Sequence, residues 1–437
     1  MLCAWLGTVT GWKGRPKTAI STQIWPFYLD TWFPKPVWTW RALLPLAALG
    51  PLLYALRRWL RAATLVNLLL LATAAYAVHF TCGIVRHGFD LGLQFTFIRA
   101  QEYWNDIYRV NAGFLARFPE VGGPLSQHGA THPPGLILLL AGVNALGAHS
   151  RAAAEIVCSL AAPLTALPLY GAARRLASGG EGEETARWTV PLFLLACSVT
   201  AFAILAMDLV IMLLAATALY GLARALDGER LGGALWGLAL GCASLCNFLA
   251  LTLALSHGVL ILARLPTLDR RRWLALAAGP FAFLLFYALL VFGFGYRPFH
   301  VLDASWQQLL RSDDVQRNRL VSLLGSPIAF LGALGLPLMG LAARAIGGAF
   351  VRLARRQDLQ TVALVLAAVL PPAVSIALGK PRGEVEHVYL LFVPLLVLAA
   401  VSAARRWYPR PPAWISFAVA ALVVQSTAIE VLCNTFW

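Results

Sequence analysis

Charge is scarce in this chain. Asp, Glu, Lys and Arg make up 13% of its 437 residues, and only 20 residues are acidic. Hydrophobic residues reach 59% and the mean hydropathy is +0.70. Soluble domains are usually about 45–50% apolar, so the composition excludes a soluble globular protein and indicates an integral membrane protein. Cysteine is sparse and unpatterned. Cys3, Cys82, Cys158, Cys197, Cys242, Cys246 and Cys433 are odd in number and lie mostly inside apolar runs, which excludes a disulfide framework. Cys242 and Cys246 are four apart but have no His or further Cys nearby, so they read as packing residues and not as a metal site. The chain has no Gly-rich phosphate loop, no Cys-x-x-Cys pair and no Gly-x-Ser-x-Gly elbow. It shows no 20–50-residue repeat and none of the inverted halves common in transporters. No cleavable signal peptide is evident, because Met1–Gly11 is a short apolar run followed, not preceded, by Lys13 and Arg15.

What charge there is leans one way, to a formal net +15. No basic patch on a soluble face is visible, so nucleic acid is excluded as a partner. The positive-inside rule accounts for the excess. Residues 1–37 read as an interfacial segment. Apolar runs follow at Trp38–Leu56, Thr64–Val85, Ala152–Gly171, Trp188–Ala206, Leu209–Ala223, Leu231–Leu262, Trp273–Phe294, Leu320–Ala342, Thr361–Leu378, Val388–Ala404 and Ala413–Cys433. A span needs roughly 17–25 residues, so Leu231–Leu262 is split at Cys246-Asn247. Leu136–Ala148 has the length of a re-entrant helix. If it does not cross, the clusters Arg57/Arg58/Arg61, Arg174/Arg175, Arg224/Arg230, Arg264/Arg270/Arg271/Arg272, Arg344/Arg352/Arg355/Arg356 and Arg405/Arg406/Arg410 all fall on one side, the cytoplasmic one. The expected fold class is therefore all-α: one polytopic domain over residues 1–437 with about 12 transmembrane helices.

The same topology places the polar intervals outside: Arg86–Pro134, Met207-Asp208, Asn247, the loop 295–319 and the loop 380–387. Carboxylates and imidazoles beside lipid are costly and mark function, and Arg86–Pro134 gathers His87, Asp90, Glu102, Asp106, His128 and His132. Gln101–Phe118 has one-faced helical spacing, as for a helix lying on the membrane surface. Glu102 and Asp106 are four apart and share a face, with Arg109 in reach of Asp106. Such a carboxylate either takes a proton from a sugar hydroxyl or belongs to a solvated polar face. Pro133 and Pro134 keep His132 out of a helix interior, which argues against a helical His-x-x-x-His metal pair with His128. Asp208, between two apolar runs, is a cap or a cavity residue. In the loop 380–387, Lys380 and Arg382 suit a phosphate.

These residues resemble a known pattern. Asp106, Tyr108 and Arg109, then Phe114-Leu115, then His132-Pro133-Pro134 opening an apolar helix, resemble the first external loop of GT-C glycosyltransferases. The likeness is closest to glycosyltransferase family 39, the protein O-mannosyltransferases and aminoarabinose transferases of lipid A. Asp208 resembles an Asp that family carries, and Gly383-Glu384-Val385-Glu386-His387 resembles a Gly-Glu-x-Glu-Arg stretch of bacterial GT-C proteins, with His387 where Arg is usual. The resemblance implies a GT-C fold with a large first outer loop (86–134) carrying juxtamembrane helices. It implies a glycosyltransferase moving a sugar from a polyprenyl-phosphate donor to a lipid, glycan or protein hydroxyl on the outer face, with inversion. By resemblance Asp106 is the catalytic acid residue. The family usually sets its two acids closer together than Glu102 and Asp106, so Glu102 and Asp90 are alternatives. Arg109, His132, Asp208, Arg297, Lys380, Arg382, Glu384, Glu386 and His387 are expected to bind the donor phosphate or the substrate. No cofactor is assigned; a divalent metal is a candidate without assigned ligands. The expected location is a bacterial inner or plasma membrane with the site facing outward. A transporter or lipid flippase, and a glycan polymerase or ligase, are the alternatives.

Overall fold

The computed structural model describes residues 39–121, 125–177, 181–204, 206–311, 319–379, 385–405, 407 and 413–432; the side chains of 86–87, 89–102, 121, 127, 309–311, 319–322 and 386 lie outside that description. Every regular element among the described residues is helical. A bilayer offers backbone groups no hydrogen-bond partners, so an apolar chain that crosses it satisfies them within each helix. The chain opens with α1 (Leu43–Arg61), α2 (Leu65–Asp106), α3 (Phe114–Val121), α4 (Gln127–Thr131) and α5 (Gly135–Ala145). It continues through α6 (Arg151–Leu176), α7 (Gly182–Leu194), α8 (Cys197–Phe202), α9 (Asp208–Leu226), α10 (Arg230–Cys246), α11 (Phe248–Thr267) and α12 (Arg270–Gly293). It closes with α13 (Pro298–Arg311), α14 (Arg319–Ala333), α15 (Leu336–Ala354), α16 (Leu359–Leu378), α17 (Val385–Val388), α18 (Tyr389–Ala404) and α19 (Ala413–Leu432).

Among the described residues, eight helices are long and apolar enough to cross a membrane: Leu65–Val85 within α2, and α6, α9, α11, α12, α15, α16 and α19. The protein is a multi-pass membrane protein. Fewer helices reach that length than the expected count of about 12, because several apolar runs are broken. Leu320–Ala342, expected as one span, is two helices divided at Gly335, whose φ of +95° suits glycine alone. Trp188–Ala206 divides at Leu195–Ala196. Leu231–Leu262 divides at Asn247, as its sequence suggests, and the Asn247 side chain caps the next turn through the Leu249 N–H.

The two unforeseen breaks lie against each other. Cys197 N–H donates to the Leu334 carbonyl at 3.1 Å. Leu336 N–H donates to Gln425 Oε1 at 2.9 Å, and His79 Nε2 donates to the Leu194 carbonyl at 2.6 Å. Each break thus hands its freed backbone groups to a partner, which is the condition for irregular backbone inside a membrane protein. The second intraspan imidazole is also engaged, with His257 Nδ1 accepting from Trp236 Nε1 at 3.0 Å.

Close packing uses glycine. A Cβ on Gly233 would stand 1.9 Å from the Ala275 carbonyl oxygen, and one on Gly237 2.0 Å from that of Gly279. Helices α10 and α12 therefore approach backbone to backbone, as small residues allow in membranes. The arginine-bearing helix ends gather on one side of the bundle. Arg174 and Arg187 meet Glu183, Arg175 meets Asp227 and Glu229, Arg224 meets Glu229, and Arg405 meets Glu184. Trp59 Nε1 reaches the Arg187 carbonyl. The five described cysteines are free, four of them buried.

Candidate functional site

The long first loop is more helical than a loop. Helix α2 continues past Val85, kinks at Gly88 (φ 72°, ψ 176°) and runs to Asp106. The single surface helix expected over Gln101–Phe118 is divided. A 3-10 turn at Ile107–Arg109 follows α2, Val110 is extended, and α3 begins at Phe114. The division comes from Asn111, whose Oδ1 accepts from Gly113 N–H at 3.1 Å and from Arg117 at 2.8 Å, closing a turn.

Asp106 ends α2 and is 3% exposed. It is not partnered by Arg109, the neighbour its spacing suggested, and Arg109 is exposed. The carboxylate instead accepts from Ser126: the hydroxyl donates to Oδ2 at 2.6 Å and the backbone N–H to Oδ1 at 3.1 Å. Ser126 Oγ in turn accepts from Gly129 N–H at 3.1 Å, capping α4. A Cβ on Gly129 would lie 2.1 Å from Asp106 Oδ2, so the loop closes on the acid because position 129 has no side chain.

That five-residue helix and the residue that ends it present two imidazoles. His128 and His132 stack with centroids 6.0 Å apart and an interplanar angle of 28°, and both pack on buried Tyr103, His132 edge-on and His128 tilted. His132 is extended (φ −116°, ψ 157°), outside the helix, as Pro133 requires. Its Nδ1 lies 3.1 Å from the His128 carbonyl. The Thr131 hydroxyl lies at the same distance from Nδ1, 3.1 Å, so the ring is held at Nδ1 and Nε2 is the nitrogen left for a substrate. Burial holds the His132 pKa below the usual imidazole value, opposed by the nearby Asp208 carboxylate.

Asp208 opens α9 without capping it. Its Oδ2 lies 3.1 Å from His387 Nδ1 on α17, 179 residues away, and His387 packs on Phe202 at 5.5 Å between centroids. His387 is the more deeply buried partner, its side chain 7% exposed against 21% for Asp208. Asp208 therefore shows the open edge, with His387 behind it. His132 and His128 both act on the Asp208 charge. The structure thus brings His132, Asp208 and His387 together and ties Asp106 to them through the loop 126–132.

Other expected residues fall elsewhere. Arg297 is exposed and faces Glu120 at 3.9 Å. Lys380, Arg382 and Glu384 lie outside the described residues, as do the side chains of Asp90, Glu102 and Glu386. Among the described residues no three His, Cys, Asp or Glu side chains are arranged to share a metal ion. Two participants went unrecognised in the sequence: Ser126, whose place before a short turn was its only signal, and His128 as a ring against His132. Buried Glu155 and Glu430 were also unforeseen. Helix α5 begins beside this site, and Arg151, six residues after its end, reaches Asn105 Oδ1 at 3.5 Å. The short helix therefore returns the chain to the side it left.

No protein-family model matches the chain, and no curated protein matches its sequence. Solved structures do match. One is the Archaeoglobus fulgidus oligosaccharyltransferase tethered with an acceptor peptide, with a TM-score of 0.50 and 13% identity over 83% of this chain and 55% of that one. The chain spans about half the length of that enzyme. Another is ArnT from Cupriavidus metallidurans in the apo state, with a TM-score of 0.47 and 13% identity over 78% of this chain and 77% of that one. The same ArnT bound to undecaprenyl phosphate matches with a TM-score of 0.35 and 15% identity over 83% and 78%. The likeness is one of fold: the helical arrangement of this chain is similar to that of the oligosaccharyltransferase.

Proposed function

We propose that this protein is a membrane glycosyltransferase that moves a sugar from a polyprenyl-phosphate donor to a hydroxyl on a lipid, glycan or protein acceptor. The observation that carries the reading is the gathering of Asp208, His387, His132 and the Asp106–Ser126 pair at one end of the bundle, from segments far apart in sequence. Asp106 takes the acceptor's proton as general base. It already receives a hydroxyl, that of Ser126, at 2.6 Å. The acceptor oxygen attacks the anomeric carbon, the bond from that carbon to the phosphate oxygen breaks, and polyprenyl phosphate leaves, with inversion. Asp208, fixed from behind by His387, binds the sugar through its open edge. His132 offers Nε2 to a substrate hydroxyl, and Lys380 and Arg382 offset the phosphate charge. Glu102 and Asp90 are the other carboxylates able to serve as base. The site faces outward, opposite the arginine-bearing ends.

The test is transfer of labelled sugar from a polyprenyl-phosphate donor by the purified protein, with Asp106→Asn, Glu102→Gln and Asp90→Asn compared. The base is the residue whose loss lowers kcat by about 10²–10⁴. Retention at the anomeric centre would exclude the single displacement. Passage of the lipid-linked sugar across a vesicle membrane at an unchanged rate in all three variants would favour a flippase.

A further inference from the structure

The arginine side of the bundle holds a second arrangement. Arg344, Gly348 and Arg352 are spaced four apart on α15 and form one stripe along the helix. The Trp407 indole, just past the end of α18, lies across that stripe. The Cβ position of Gly348 is 3.7 Å from both Trp407 Cζ2 and Arg352 Nη1. The Arg344 guanidinium carbon sits 4.1 Å from the indole centroid and that of Arg352 5.9 Å from it. The two cations therefore stand within about 10 Å of each other on one aromatic ring.

Their setting differs from that of the neighbouring arginines. Arg174, Arg175, Arg187, Arg224 and Arg405 each meet a carboxylate. Among the described residues no carboxylate forms an ion pair with Arg344 or Arg352, and Arg352 Nη1 is enclosed without a hydrogen-bond partner. Exposed Arg355 and Arg356 add to the same charge. Arg405, two residues before Trp407, turns instead onto Trp188 and Glu184. The end of α18 thus stands between Arg405, which has a carboxylate partner, and the Arg344–Arg352 pair, which has none among the described residues. Two like charges held close together need an anion, and guanidinium forks match phosphate oxygens.

We propose that Arg344, Trp407 and Arg352 form a binding site for the phosphodiester headgroup of an anionic phospholipid in the adjoining leaflet. The indole fixes the two guanidiniums, which grip the phosphate, and exposed Val351, beside the stripe on α15, meets the acyl chains. A lipid headgroup fits better than a soluble anion because the stripe lies on a helix long and apolar enough to span a membrane.

The test is native mass spectrometry of the full chain in detergent, with phosphatidylglycerol or phosphatidylcholine added at equal concentration. The wild type is expected to retain phosphatidylglycerol preferentially. The double variant Arg344→Gln/Arg352→Gln is expected to lose that preference by about tenfold or more, the weight of two basic groups at an anionic surface. Arg174→Gln/Arg187→Gln, whose arginines already have Glu183, is expected to keep it. Equal retention of both lipids by the wild type, or an unchanged preference in Arg344→Gln/Arg352→Gln, overturns the proposal. Displacement of phosphatidylglycerol by millimolar inorganic phosphate also overturns it, in favour of a soluble-anion site. Should the double variant fail to fold, Trp407→Leu serves in its place: both charges stay, their common plane is lost, and an undiminished preference refutes the site.

Discussion

Gly129→Ala should disable the site without replacing a charged residue. The added Cβ would stand 2.1 Å from Asp106 Oδ2 and 3.0 Å from Ser126 Oγ. Cβ contacts under 3.0 Å are essentially never seen, so the carboxylate or the turn must shift by about 1 Å. The carboxylate cannot swing aside freely. Ser126 grips it through both N–H and hydroxyl, and Ser126 belongs to the same turn as Gly129. A reacting group misplaced by about 1 Å can lose about 10²-fold in rate. The expected outcome is a kcat reduced by about that factor in the sugar-transfer assay, with the protein still monodisperse in detergent. If the loss acts through Asp106, Gly129→Ala in an Asp106→Asn background should cost nothing further. A Gly129→Ala enzyme with wild-type kcat, or a loss that multiplies with that of Asp106→Asn, would refute the argument.

Further expectations follow from the same geometry. Asp208→Asn should raise KM for the donor about ten- to hundredfold, the worth of a charge-assisted contact, and leave kcat little changed; a fall confined to kcat would move Asp208 into the chemistry. The depressed folded pKa of His132 means the unfolded chain takes up the proton first as pH falls. The stability this neutral imidazole contributes is whole above its ordinary value of 6.5 and is lost as pH falls from there through the folded value. His132→Gln should flatten the melting-temperature profile below pH 6.5, and an unchanged profile would show that the ring does not titrate this way. Gly237→Ala forces α10 and α12 apart at a backbone carbonyl 2.0 Å from the new Cβ and should cost about 1–3 kcal/mol. Gly258→Ala, with open space around it, should melt as the wild type does, and equal melting of the two variants would contradict the close packing.

Composition and periodicity determined much of this protein. An apolar chain this poor in charge must be a bundle of membrane helices, because only there are its side chains and backbone groups both satisfied. Pro133 fixed the extended backbone of His132, and Asn247 marked its helix end, because both effects are local. The divisions at Leu195 and Gly335 were not legible, since each depends on a partner more than 80 residues distant that accepts or donates the freed hydrogen bond. Sequence spacing offered Arg109 to Asp106, but the fold chose Ser126, because the chain turns at Asn111 and brings residue 126 back onto the carboxylate. The pairing of Asp208 with His387 and the placing of Trp407 between Arg344 and Arg352 belong to tertiary structure alone. Nothing local brings side chains together across 179 residues or across two helix ends; packing of the whole bundle does.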